Sequence, residues 1–362
     1  MSQTDFIKYI RTPEFKALLN KYEEALNSGV DNFIDSEDLV DIAEYYHYSG
    51  MMEKAEEAAD YCLEQYPDCA TALYFKSRME LADHSNPDEA MRLLKRLPED
   101  DDNVEKTFIE AEVKIVYGDS EGADKILRER YARLKSQVES QDGIYGVALD
   151  SEYDEESDED WLLEDYSHFP LNTAMIFCDH CCFGYAEKWM KMMDKPLQDM
   201  LFEYWETWGR TYHMQERFKE AIVAWNKALD VDSYSFSAWI HLCDAQYQEN
   251  LIDDAIQSAE FAQAISVDDP QPNMFLGALH LEKNNTAKGV EEFLKTIEKS
   301  GYDLAVMIRV GLAFYELGYK DAALNMMEMI KKPFEEADLM SECPPIVQEI
   351  IDKCISDEKN NQ

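Results

Sequence analysis

The stretch Trp205-Glu206-Thr207-Trp208-Gly209-Arg210-Thr211-Tyr212, followed by Ala221, Trp225 and Ala228, decides the reading of the fold. Residues 205, 208, 209 and 212 fall three and four apart, so they share one face of a first helix. Gly209 in that face lets a second helix approach closely, and Ala221 supplies the matching small contact on the second helix.

The same pattern recurs at a period of 34 residues, which marks a repeat architecture. Near the start its slots hold Leu39, Ile42, Ala43, Tyr46, Ala55, Ala59 and Cys62, with Pro67 closing the unit. Further on come Trp239, Leu242, Cys243, Ala255, Ala259 and Ala262, then Leu276, Gly277, Gly289 and Phe293. The last copy offers Met307, Val310, Gly311, Phe314, Ala323 and Met327. Weaker copies begin near Ala70, run through Ala111, Gly118 and Ala123, and carry Ala174, Phe177, Ala186 and Met190.

The slots resemble the tetratricopeptide signature, W-x2-L-G-x2-Y then A-x3-F-x2-A, with Trp208 at the usual Leu and Trp225 at the usual aromatic. In composition the chain is similar to bacterial members of that family. The resemblance implies an all-α fold, a right-handed superhelical solenoid of helix-turn-helix repeats. Each pair leaves apolar surface that only the next pair covers. Gly50, Gly118 or Gly318 near the turn suits a helix C-cap.

Unit starts at 36, 70, 104, near 167, 202, 236, 270 and 304 organise the chain. Residues 1–35 form an N-terminal cap, opened by Pro13 at a favourable first-turn position. Residues 36–137 hold three repeats, 167–201 a degenerate one and 202–337 four more, and 338–362 form a capping helix with a frayed tail. Between them, 138–166 lose the repeat and become acidic, as in SEYDEESDEDWLLEDY. Carboxylates packed so densely oppose a compact helix, which predicts an exposed acidic loop. It is either a solvated insertion or a docking segment built on Trp161, Leu162 and Leu163.

Composition narrows the function. The 362 residues carry 76 acidic and 34 basic side chains, a formal net charge of −42, and such a field repels phosphate backbones and anionic lipid. Nucleic acid and membrane are therefore poor partners, and a basic protein segment is a better one. No signal-like apolar run opens the chain and no membrane-length one follows, which makes the cytoplasm the expected location. Eight scattered cysteines read as reduced thiols and not as a disulfide framework.

No Gly-rich phosphate loop, Gly-x-Ser-x-Gly or His-Glu-x-x-His is present, so no catalytic residue and no cofactor are assigned. Cys178-Asp179-His180-Cys181-Cys182 is the one candidate metal cluster. It supplies a single Cys-x-x-Cys pair where zinc needs a second, and on a helix its thiols share one face suited to core packing. Trp189, Trp205, Trp208, Trp225 and Trp239 read as core at the repeat's packing slots.

The resemblance implies that first helices line a concave groove, whose residues outside the packing slots are candidate partner contacts. These are Glu37, Val40, Glu44, His47 and Tyr48, then Glu203, Glu206, Arg210 and His213. Ile240, Asp244 and Tyr247 follow, and then Met274, Leu281, Ile308, Leu312 and Tyr315. The family's chaperone-binding members clamp a peptide carboxylate with Lys, Arg and Asn, and these positions are mostly acidic or apolar. The expected client is thus a basic or amphipathic segment of another protein. A self-associating structural role and a metal protein built on the cysteine cluster are the alternatives.

Overall fold

A computed structural model describes residues 6, 8–28, 33–98, 101–145, 158–193, 195–337 and 339–360. Every regular element among the described residues is a helix, and the chain divides into two compact units, 1–185 and 186–362. Sequence reasoning did not anticipate that division.

The first unit opens with α1 (Pro13–Ser28). Three antiparallel pairs follow: α2 (Ser36–Tyr48) with α3 (Met52–Gln65), α4 (Ala70–Ala82) with α5 (Pro87–Leu94), and α6 (Val104–Val116) with α7 (Ser120–Tyr145). Asp35, Asn86 and Asn103 accept backbone N–H bonds at the starts of α2, α5 and α6, satisfying donors that a helix start leaves free. The unit continues into α8 (Asp158–Asp179), which packs on α7, and α9 (Phe183–Met190) runs across the boundary between the units.

The second unit contains α10 (Lys195–Met200) and four regular pairs. They are α11 (Phe202–Met214) with α12 (Phe218–Val231), α13 (Phe236–Gln248) with α14 (Ile252–Ile265), α15 (Gln271–Glu282) with α16 (Thr286–Lys299), and α17 (Leu304–Glu316) with α18 (Lys320–Glu336). Finally α19 (Pro345–Asn360) lies against α17 and α18, with Val347, Ile350, Ile351 and Cys354 buried. Those apolar residues cover the side of the last pair that would otherwise meet water.

Within each pair the close-contact slot is filled by complementary volumes. Where the first helix has glycine, the slot sixteen residues on is large: Gly209 with Trp225, Gly277 with Phe293, Gly311 with Met327. A Cβ on those glycines would lie 2.6, 2.5 and 2.4 Å from the respective side chains. Where the first slot is Ala43 or Cys243, the second is Ala59 or Ala259, and all four are fully buried. A small first-slot residue leaves room for the facing side chain, whose size then fills the space in a close-packed interior.

In six of the seven pairs the turn uses one left-handed residue at a fixed place, Gly50, Gly118, Glu216, Asn250, Asn284 and Gly318, with φ between 58° and 84°; the α4–α5 turn puts it one place later, at Ser85, with φ 52°. It ends the first helix in the manner of a C-cap, as Gly50 N–H donating to His47 O (2.9 Å) and Met51 N–H to Tyr46 O (2.8 Å) illustrate.

Three expectations need correction. Residues 138–145 and 158–166, read as an acidic loop, are helical in α7 and α8. Helix α8 begins at Asp158, within the acidic stretch. Farther along, Tyr166 stacks on Tyr131 of α7 at 5.1 Å. Residues 146–157 and the side chain of Trp161 lie outside the described residues.

The cysteine cluster does not occupy one helical face, because α8 stops at Asp179 and Cys181 takes φ 57° in the turn. Cys178 is buried, Cys181 is exposed, and Cys182 Sγ lies 3.3 Å from Ser120 Oγ. His180 Nε2 is 3.2 Å from Glu112 Oε1.

Of the five tryptophans read as core, Trp189, Trp208 and Trp225 are buried, but Trp205 and Trp239 are only half-buried. Trp239 instead stacks on Phe261 at 4.6 Å.

Candidate protein-binding surface

In the second unit the first helices α11, α13 and α15 are bridged side chain to side chain. His213 Nε2 on α11 lies 2.8 Å from Asp244 Oδ2 on α13. Burial pushes the Asp244 carboxyl up, but the His213 hydrogen bond and charge hold it below the ordinary range. Three residues along α13, the Tyr247 hydroxyl is pushed up to about 12 by burial and by its hydrogen bond to Glu282 of α15, with Glu316 of α17 adding to the same field.

Glu203 is exposed at the start of this face, and the half-buried Glu206 is raised by burial and by Glu203 while Arg210 opposes the shift. Behind the ladder His241 stacks on Trp225 at 4.9 Å. Burial and the neighbouring His213 depress its pKa. Met274, Ile308, Leu312 and Tyr315 are half-buried on α15 and α17, the helices that end in Glu282 and Glu316.

The first unit has a separate acidic face on α2, with Glu37, Glu44 and Tyr48 exposed. Burial first, and then neighbouring carboxylates, raise Asp38 and Asp41, with a Tyr9 hydrogen bond opposing the shift at Asp41. His47 Nε2 sits 3.1 Å from Asp83. Arg78 on α4 reaches Glu105 (2.6 Å) and Glu112 on α6, a link that makes the middle of this unit an ion-paired surface.

Val40, Ile240 and Leu281 are not surface contacts. They are 5%, 4% and 1% exposed, and Leu281 lies where a Cβ on Gly289 would come within 2.7 Å. An apolar side chain next to a packing slot is drawn into the interface when the facing residue is small. Sequence reasoning also passed over Arg78, His241, Glu282 and Glu316. Glu282 and Glu316 end α15 and α17 one repeat apart, so the period could have found them.

Among the described residues no group of three or more His, Cys, Asp or Glu is arranged to hold a metal. No described helix is long and apolar enough to cross a membrane.

No protein-family model matches the chain, and no curated protein does. Several solved structures are similar to it. MamA aligns at 20% identity over 48% of this chain and 94% of its own, with a TM-score of 0.42. YrrB, described as a TPR protein with an unusual peptide-binding site, aligns at 14% identity over 49% and 91%, with a TM-score of 0.40. A tetratricopeptide repeat protein from Parabacteroides merdae aligns at 12% identity over 77% and 98%, with a TM-score of 0.43. The helix pairs themselves, with their 34-residue period and filled close-contact slots, have the architecture of tetratricopeptide-type repeats.

Proposed function

We propose that this protein is a scaffold that holds another protein, and that the first-helix face of the second unit receives a basic or amphipathic segment. One observation carries the reading. Glu203, Glu206, Asp244, Glu282 and Glu316 outnumber Arg210 along a face that also presents Met274, Ile308, Leu312 and Tyr315. Such a surface complements a helix with leucines on one side and lysines on its flanks. The chain's net charge of −42 steers the same ligand toward it.

The test uses a fluorescein-labelled peptide, LKKLLKKL, and its acidic counterpart LEELLEEL, with anisotropy as the readout. The basic peptide binds, weakens as salt rises, and loses at least tenfold in affinity to the triple variant Asp244→Asn, Glu282→Gln, Glu316→Gln. Equal binding of the acidic peptide, or an unchanged affinity in the variant, sinks the reading.

A further inference from the structure

The second unit has another edge, made by the turns that lead from one helix pair into the next. Tyr234, Val267 and Tyr302 at these turns, and Met200 at the end of α10, are 81%, 65%, 68% and 71% exposed. They recur about one repeat apart, so they form a row along one side of the stack. Carboxylates accompany them: Asp199 in α10, and Asp232, Asp268, Asp269 and Asp303 at the turns.

At the leading end of the row is a cleft of about 390 Å³, lined by Asp199, Met200, Trp205, Lys227, Asp230 and Val231. The Lys227 ammonium stands 3.8 Å from the centre of the Trp205 ring. An aromatic face in a cleft that two carboxylates also line is a site for a cation, and the chain's own lysine demonstrates the fit. Lysine is a modest occupant, because its flexible stem loses rotamer freedom and its ammonium is strongly hydrated. A guanidinium is less hydrated and stacks flat on the indole.

We infer that this edge is a second docking surface, for a segment carrying arginine beside an apolar side chain. The guanidinium replaces Lys227 on Trp205 between Asp199 and Asp230, and the apolar neighbour rests on Met200 and Tyr234. The cleft shares α11 with the first-helix face but is lined by Trp205 and, from α12, Lys227, Asp230 and Val231, none of which the first reading uses.

The probe is a fluorescein-labelled RLRLR amide, with ELELE amide as its control. Lys227→Ala, which uncovers the ring, tightens RLRLR binding threefold or more, and Trp205→Ala weakens it at least tenfold. Asp230→Asn with Tyr234→Ser also weakens it, and both of these positions are surface ones, so the test survives if Trp205→Ala fails to fold. In the variant Asp244→Asn, Glu282→Gln, Glu316→Gln, which removes the first-helix contribution, RLRLR still binds and the Lys227, Trp205 and Asp230 effects persist. The inference is overturned if the Lys227, Trp205 and Asp230 variants all bind like the parent, or if the loss appears only in the first-helix triple. Self-association abolished by Trp205→Ala, with no peptide bound, would assign the edge to a second copy of the chain and overturn it as well.

Discussion

Gly209 and Trp225 fill one another's space: a Cβ on Gly209 would stand 2.6 Å from Cε2 of the Trp225 ring, which is fully buried. This pair sets the separation of α11 and α12. Because neither backbone nor a buried ring can yield by an ångström, Gly209→Ala costs about 1–3 kcal/mol through overpacking. Trp225→Ala alone costs about 3–5 kcal/mol. In a double-mutant cycle the Gly209→Ala penalty largely disappears when residue 225 is alanine, and denaturant unfolding measures it. Full additivity would show that the contact does not set the packing.

Glu216 occupies the turn position that three other pairs give to glycine, at φ 58°. A side chain there is strained by contact with its own carbonyl. Glu216→Gly is therefore expected to raise stability by about 0.5–1 kcal/mol, the relief of strain exceeding the added chain entropy. A lower urea midpoint for the variant contradicts this.

Acidification destabilises the second unit through its histidines. Burial depresses the pKa of both His241 and His280, aided by His213 and by Lys288 respectively, and His280 Nε2 has no hydrogen-bond partner. A depressed folded pKa means that stability is whole above the unfolded value of about 6.5 and declines as pH falls toward the folded value. The slope is at most about 1.4 kcal/mol per pH unit for each group. His241→Phe keeps a ring against Trp225 and removes one titration, so the parent-to-variant difference in urea midpoint changes between pH 7 and pH 5. A difference constant across that range refutes it.

His180 carries the opposite sign. Its hydrogen bond to Glu112 raises its pKa against a smaller opposing effect of burial. The stability this bond contributes is complete below about pH 6.5 and fades as pH rises through the raised value. His180→Gln should therefore be less stable than the parent at pH 6 and nearer to it at pH 9. NMR titration of the His180 ring checks the shift directly, and an ordinary midpoint there would refute the bond.

Much of the fold is legible because it is a local code repeated. The small residue eight places into a unit, the larger or small partner sixteen places later and the glycine or asparagine at the turn are all read within 34 residues. The face made by Glu203, Glu206, Arg210, His213, Asp244 and Tyr247 was legible for the same reason, since helical spacing gathers those residues whatever surrounds the helix.

By itself, then, the sequence determined that this protein is a series of helix pairs, how closely each pair packs, and which acidic residues share a helix face. Tertiary structure alone decided that Val40, Ile240 and Leu281 sink into the core and that Trp205 stays half-open with Lys227 above it. It also decided that α7 and α8 extend into the acidic stretch and that the cysteines at 178–182 part at a turn. The physical reason is the range of the forces involved. Helix spacing and close-contact volume are set within one pair, whereas burial of a flanking residue depends on what the next element places opposite it, which no single repeat records.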